Sequence, residues 1–179
     1  FLYSRAFQMM VKVGSMRVQE VLAEATNVIA EGEVLQLMNI HNADIDEADY
    51  MQAIQYKTAK LFEAAARLGA ILGNASAQQE SAMAEYGMLL GTAFQIVDDD
   101  VLDYTGDATA IGKNLGDDLA EGKPTLPLIY TMQRGTPEQS ALARQVIEQG
   151  GLEAFDEIVA AVRACGALEA AMDTANRIK

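Results

Sequence analysis

Residues 91–107 read GTAFQIVDDDVLDYTGD, and this stretch joins a helical apolar pattern to an accumulation of negative charge. Apolar side chains at helical spacing form one row along the predicted helix: Leu90, Phe94, Val97 and Val101. A polar row lies nearly opposite and consists of residues four apart: Gln95, Asp99 and Asp103. No lysine or arginine occurs from Leu68 to Gly112, so no nearby cation in the sequence neutralises these acids.

Two interpretations of the acidic helix remain open from the residues alone. Two carboxylates about 6 Å apart repel each other by roughly 2–3 kcal/mol at an effective dielectric constant of about 20. Water and salt screen that repulsion on an exposed face, so a solvated acidic surface is one interpretation. In a cleft the acids need a cation, and Mg²⁺ prefers oxygen ligands such as carboxylates. The candidate ligands are Asp98, Asp99, Asp100 and Asp103.

Composition excludes several classes of protein. The net charge of −13 disfavours nucleic acid and anionic membranes as partners. No apolar run approaches the roughly 18 residues of a membrane span. The single cysteine, Cys165, cannot form an internal disulfide, which is consistent with a reducing compartment such as the cytoplasm. His41 is the only histidine, so we expect a capping or surface role for it.

The periodicity predicts one all-helical domain over residues 1–179, with no strand pattern that persists beyond a few residues. A long loop at 105–124 separates the central helix from the helices that follow, and Pro124 is predicted to open the next helix. The helices are predicted at about 1–13, 15–39, 46–72, 78–104, 124–133 and 136–149, with one or two more at 152–179 and a bend at Gly166.

Three motifs in order identify a resemblance that covers nearly the whole chain. FQIVDDDVLDY at 94–104 resembles the second aspartate-rich motif of the trans-type polyprenyl diphosphate synthases. GKNLGDDLAEGKPTLPLIY at 112–130 is similar to the loop and helix that follow that motif, and YKTAKLFEAA at 56–65 to the Lys-Thr segment of the family. Glu31-Gly32-Glu33 with Gln36 also fits the helix that lies upstream of this segment in the family. FLYSRAFQMMV and GTPEQ look most like bacterial octaprenyl diphosphate synthases, which make the ubiquinone side chain.

The resemblance implies an all-α bundle of long helices around a central cavity, usually a homodimer, of the isoprenoid synthase type. It implies that an allylic diphosphate ionises and that isopentenyl diphosphate attacks the carbocation, with loss of a proton. By match to the motifs, the diphosphate contacts Lys57, Lys113 and Lys123 with Thr58 and Gln95 as polar partners, and Mg²⁺ binds among Asp98, Asp99, Asp100 and Asp103. Lys57, Gln95, Asp99 and Asp103 are the expected catalytic residues.

Two alternatives share parts of this pattern. A non-catalytic helical subunit would keep the fold for dimerisation, but it has no need of the lysines and aspartates. An all-helical terpene cyclase shares the ionisation of a diphosphate with Mg²⁺, but the 112–127 loop resembles that of the chain-elongating enzymes.

The acidic motif carries one residue more than the family pattern. Counted from Gln95 the aspartate pair is Asp98-Asp99, whereas counted back from Asp103 it is Asp99-Asp100. One extra residue turns part of a regular helix by about 100°, which a π-type bulge absorbs. We therefore predict an i to i+5 hydrogen bond or a comparable kink between Gln95 and Asp103.

The first aspartate-rich motif of the family and the segments that hold isopentenyl diphosphate have no counterpart in these 179 residues. The helical pattern also begins at Phe1 and still runs at Lys179. The sequence is therefore interpreted as truncated at its N-terminus and, by the same argument, its C-terminus. We expect this polypeptide alone to lack prenyl-transfer activity.

Overall fold

The structure, a computed structural model, describes residues 1–101, 104 and 116–178, without the side chains of residues 99–101. All regular elements in these ranges are helical, which confirms the all-α prediction. The α-helices are α1 (Leu2–Val13), α2 (Met16–Asn39), α3 (Glu47–Ile54), α4 (Lys60–Leu72), α5 (Ala77–Gln95), α6 (Asp117–Ala120), α7 (Leu126–Arg134), α8 (Pro137–Gln149), α9 (Phe155–Ala164) and α10 (Ala167–Ile178). Two segments are π-helical: π1 (Gln55–Ala59) and π2 (Ile96–Val101).

Side-chain caps begin several of the helices. The Ser15 hydroxyl accepts a hydrogen bond from the backbone N–H of Val18 and so starts α2. Reciprocal capping boxes, in which the cap and the third helical residue bond each other's backbone N–H, start three further helices. Their cap residues are Asp46 for α3, Ser76 for α5 and Thr136 for α8.

The two π segments modify two of the predicted helices. The predicted kink between Gln95 and Asp103 is confirmed, because π2 follows directly on Gln95. The predicted helix at 46–72 is present, but π1 divides it into α3 and α4, which the sequence did not predict. A π turn places one extra residue in the helical ladder, so each segment changes which face of the helix its side chains occupy.

The prediction for the start of α7 is wrong. That helix begins at Leu126 rather than at Pro124, with Thr125 in extended conformation at the cap position. Pro127 occupies the first turn instead, where the missing N–H of a proline costs nothing. The short helix α6 lies inside the segment predicted to be a loop.

Two apolar clusters flank the π1 segment. The larger cluster unites α3, α7, α8, α9 and α10, with Ile96, Leu126 and Ile147 fully buried in it. The smaller cluster packs Val21 and Ala25 of α2 against Ala64 of α4. Among the described residues, no helix is both long and apolar enough to cross a lipid bilayer.

Candidate active site

The backbone of π1 lies in close contact with α2 and α5. A Cβ atom on Gly32 of α2 would lie 2.5 Å from the backbone nitrogen of Lys57. A Cβ atom on Gly91 of α5 would lie 2.7 Å from Cα of Ala59, at the other end of the segment. Because only glycine leaves room for such an approach, these two residues fix the position of π1. The helical propensity that Gly32 forfeits, about 1 kcal/mol against Ala, is the cost of this contact.

Lys57 extends from π1 toward α2. Its ammonium Nζ donates a hydrogen bond to Oε1 of Gln36 at 2.7 Å. Gln36 lies one turn after Gly32, so the same face of α2 both contacts the backbone of Lys57 and holds its side chain. The amide of Gln36 is neutral, and no carboxylate among the described side chains forms an ion pair with Lys57.

Lys123 is held by acids instead. Its ammonium lies 2.6 Å from Oδ1 of Asp118 and 2.8 Å from Oε2 of Glu121. Burial alone lowers the pKa of Lys123, but its hydrogen bonds to Asp118 and Glu121 outweigh burial and leave that pKa above its ordinary value. The hydrogen bond from Lys123 lowers the pKa of Glu121, and the positive charge of Lys57 lowers it a little further.

One cavity brings residues from five parts of the chain together. Lys57, Gln95 and Lys123, each predicted as a site residue, line this cavity and meet there with Gln36. The remaining lining residues are Asn39, Ile45, Tyr50, Ala53, Ile54, Asp118, Pro124 and Thr125. Thr58 is half-buried beside Lys57 on π1 but does not line the cavity. Long-range packing alone accounts for this convergence, because 66 positions separate Lys57 from Lys123.

The acidic segment begins at the edge of this cavity. Gln95 ends α5 with its side chain 8% exposed, although neighbouring Phe94 remains 48% exposed. The polar row of the central helix therefore turns inward at Gln95. Asp98 is half-buried in π2. The backbones of Asp99 and Asp100 belong to π2, but their side chains, like Asp103 and Lys113, lie outside the described residues.

Tyr104, the residue after Asp103, is fixed from two sides. Its hydroxyl lies 3.3 Å from Oγ1 of Thr125, two residues beyond Lys123. The guanidinium of Arg163 in α9 donates to its backbone carbonyl at 2.7 Å. The first contact ties the end of the acidic motif to the segment that carries Lys123, and the second ties it to α9.

Sequence reasoning assigned no role to three residues that hold the two lysines. Gln36 carried a signal, since it follows Gly32 at helical spacing, but its partner is known only once α2 meets π1. Asp118 and Glu121 also carried a signal, because acids five and two positions before a lysine in a short turn are within reach of its ammonium.

The polyprenyl synthetase family model matches residues 1–164 of the chain. The chain is 55% identical to the octaprenyl diphosphate synthase of Escherichia coli strain K12 over 170 residues, which are 94% of this chain and 52% of that protein. It is 45% identical to an all-trans-nonaprenyl-diphosphate synthase of Rhodobacter capsulatus over 94% of this chain and 51% of that protein. The chain thus spans about half the length of these curated relatives.

Solved structures give the same result for the fold. A polyprenyl synthase from Caulobacter crescentus, complexed with calcium and isoprenyl diphosphate, superposes with a TM-score of 0.92 at 41% identity, over 99% of this chain and 54% of that one. A decaprenyl diphosphate synthase from Rhodobacter capsulatus superposes with a TM-score of 0.88 at 43% identity, over 99% of this chain and 55% of that one. The family model, the relatives and the shared all-α architecture therefore agree that this chain belongs to the polyprenyl synthetase family.

Proposed function

We propose that the protein carrying this chain is a polyprenyl diphosphate synthase that extends an allylic diphosphate with isopentenyl diphosphate, and that its product is octaprenyl diphosphate for quinone side chains. The observation that carries the proposal is the convergence of Lys57, Gln95 and Lys123 on one cavity beside the acidic segment. Two ammonium groups and an amide donor at one cavity form a site for a small polyanion.

The chemistry of such a transfer depends on the leaving group. The allylic C–O bond breaks and its electron pair departs with the diphosphate, so negative charge grows on oxygen as the carbocation forms. The double bond of isopentenyl diphosphate then attacks the cation, and a proton leaves the adjacent carbon. Donors fixed in advance beside the departing oxygens stabilise that charge. We assign this role to Lys57 and Lys123, with Gln95 as a neutral donor and Lys113 as a third cation. Thr58 does not line the cavity and has no part in this proposal.

We also propose that the acidic segment holds Mg²⁺ through Asp98, Asp99, Asp100 and Asp103. The donor chemistry fits, because every candidate ligand is a carboxylate oxygen and the segment supplies no sulfur or imidazole. Among the described residues alone, no group of three or more metal-binding side chains is formed. When bound, the metal supplies positive charge to the diphosphate oxygens. A homodimer is part of the same proposal.

Chain elongation by the intact protein tests the function. The purified protein is incubated with an allylic diphosphate, isopentenyl diphosphate and Mg²⁺, and the dephosphorylated products are separated by length and weighed. We expect a linear octaprenyl product and no turnover when Mg²⁺ is chelated. A cyclic hydrocarbon would identify a terpene cyclase instead.

A binding titration separates the enzyme from a scaffold. The intact protein is titrated with a non-hydrolysable allylic diphosphate, with and without Mg²⁺. We expect tight binding only in the presence of the metal. Absence of joint binding, together with absence of products, contradicts the proposal and favours a subunit that serves only for assembly.

A further inference from the structure

His41 lies where three separate parts of the chain meet. Its backbone N–H donates to the carbonyl of Gly122 at 2.9 Å. Its imidazole Nδ1 lies 3.0 Å from the carbonyl of Ile147 near the end of α8, and since a carbonyl only accepts, Nδ1 is the donor. One residue thus joins the end of α2, the turn before Lys123 and the last turn of α8.

The backbone of His41 adopts a conformation that serves these contacts. Its φ is +61°, in the left-handed region that residues other than glycine adopt infrequently, although Asn, Asp and His are enriched there. His41 follows the end of α2, whose last residue is Asn39. A strained residue of this kind persists where surrounding contacts determine it.

The turn that carries Lys123 packs against the imidazole, while His41 as a whole remains exposed to solvent. Gly122 has φ +69°, and a Cβ atom there would overlap the ring of His41 and lie 2.7 Å from the carbonyl of Ile147. On the far side of the turn, the N–H of Gly151 donates to the carbonyl of Ala120 at 3.0 Å. The turn is therefore packed onto the ring with no space for an additional side chain.

The end of α2 contacts Lys57, and His41, two residues beyond the helix, contacts the turn that carries Lys123. Gln36 binds the ammonium of Lys57, and five residues later His41 binds the carbonyl of the residue before Lys123. Asn39 lines the cavity between them. A diphosphate is a short, rigid span of charge, so the separation of the two ammonium groups decides whether both contact it at once.

We propose that His41 is a positioning residue that sets the Lys57–Lys123 separation for a diphosphate group. It acts through the Gly122 turn and touches no substrate. This inference rests on the proposed function, in which Lys123 binds diphosphate. It predicts a defect in the capture of diphosphate rather than in the chemical step.

The test uses two substitutions of one residue in the intact protein. His41→Gly removes the ring and keeps a residue that tolerates positive φ. His41→Asn also tolerates this region and places an amide N–H₂ at the same number of bonds from Cα as Nδ1. We expect His41→Gly to raise KM for the allylic diphosphate by about fivefold to tenfold, the worth of one hydrogen bond, with kcat within about twofold. His41→Asn should restore most of that loss.

Ser15→Ala is the matched control, because it removes the cap at the opposite end of α2 at a comparable cost in stability. It should leave KM unchanged. Amide hydrogen exchange of residues 116–125 provides a second measurement, and exchange there should accelerate in His41→Gly alone. Unchanged KM and unchanged exchange in His41→Gly overturn the inference, as does an equal defect in Ser15→Ala.

If the wild-type protein elongates nothing, the proposed function fails separately. The inference is then decided by the affinity for inorganic diphosphate, measured by calorimetry on the same variants. Weaker binding in His41→Gly with recovery in His41→Asn supports it, and equal binding in all variants rejects it.

Discussion

Lys57 and Lys123 line one cavity, but the protein holds the two ammonium groups in opposite ways. Lys57 donates to the neutral amide of Gln36, and its backbone is fixed between two glycines of long helices. Lys123 bonds two carboxylates, and its backbone belongs to a short turn. Among the described side chains, the lysine held by packed helices therefore has a neutral hydrogen-bond partner, whereas the lysine held by a turn has two charged partners.

This difference has a consequence for anion binding. A lysine ammonium has three hydrogen-bond donors. Among the described residues Lys57 uses one of them, while Lys123 uses two. Lys57 can therefore bind two oxygens of a diphosphate without losing a protein contact, whereas Lys123 can bind one. We infer that Lys57 is the main receptor of the anion and that Lys123 combines binding with closure of its own turn.

Removal of Lys57 is the strongest way to break this comparison. In the intact protein we expect Lys57→Met to lower kcat/KM by about 10²- to 10³-fold, in the range found for fixed donors to a developing oxyanion. Lys123→Met should cost less, about tenfold, because fewer donors are lost. Steady-state kinetics with the allylic diphosphate measures both.

Lys60→Met provides the control for the loss of a charge. Lys60 lies three residues after Lys57 but pairs with Glu24 at 2.9 Å and Glu63 at 2.8 Å, away from the cavity. We expect its substitution to leave kcat/KM within about threefold. Equal losses for Lys57 and Lys123 would show that the contrast between their partners has no functional weight.

A second prediction concerns the backbone of Lys57. Gly32→Ala places a methyl group 2.5 Å from the nitrogen of Lys57, so α2 and π1 must separate. We expect a loss of about 1–3 kcal/mol in the free energy of unfolding, the usual cost of overpacking, and a raised KM. Urea denaturation and kinetics measure the two effects.

Gly69→Ala is the control for this second prediction, because the same added methyl group meets open space on α4. There the better helical propensity of alanine should stabilise the protein by about 0.5–1 kcal/mol and leave KM unchanged. If Gly32→Ala behaves like Gly69→Ala, then α2 and π1 are not in close contact at Gly32 and this glycine does not position π1.

The contrast between π1 and π2 shows what the sequence could and could not predict. The bulge at π2 was predictable because this chain has one residue more than the family pattern there, and the two possible positions of the aspartate pair differ by that residue. Nothing in YKTAKLFEAA marks π1, since a helix with one inserted residue keeps good local propensity. The signal for π1 is Gly32, which lies more than twenty positions away and acts only after the helices pack.

Site residues follow the same division. Lys57, Gln95 and Lys123 were identified from local motifs and line one cavity, and their roles stay a prediction. Gln36 acts on Lys57 through a tertiary contact, so no local motif assigned it a role. Asp118 and Glu121 lie within five positions of Lys123, so their contact with it is local and carried a signal in the sequence. His41 was expected to have a capping or surface role, and it is indeed exposed. Its contact with the carbonyl of Ile147 could not be predicted, because that residue is 106 positions distant.

A third prediction converts one lysine environment into the other. Gln36→Glu keeps the shape of the side chain and places a carboxylate within ion-pair distance of Lys57. The new carboxylate neutralises the ammonium charge of Lys57 that would otherwise attract the anion, so we expect the affinity for inorganic diphosphate to fall about tenfold. We expect thermal stability to be unchanged or slightly higher. Calorimetry at low and high salt measures the affinity, and Glu33→Gln is the control for a change of charge on the same helix. Unchanged affinity would mean that the neutrality of Gln36 is irrelevant.

The smallest effect concerns the pH dependence of the Lys123 pair. The pKa of Glu121 is lowered, first by its hydrogen bond from Lys123, so its contribution to stability is complete above the ordinary carboxyl pKa of about 4.3. That contribution is lost as the pH falls through the lowered value.

Glu121→Gln should therefore reduce Tm at pH 7, and the difference from wild type should vanish in strong acid. The reduction should be only about 1–2 °C, because more than half of the Glu121 side chain is exposed to solvent, which screens the pair. Thermal scans from pH 7 down to pH 3, with Glu33→Gln for comparison, measure it. A difference that persists undiminished at the acid end would show that Glu121 stabilises the turn by packing, and the paired-charge description of Lys123 would then rest on Asp118 alone.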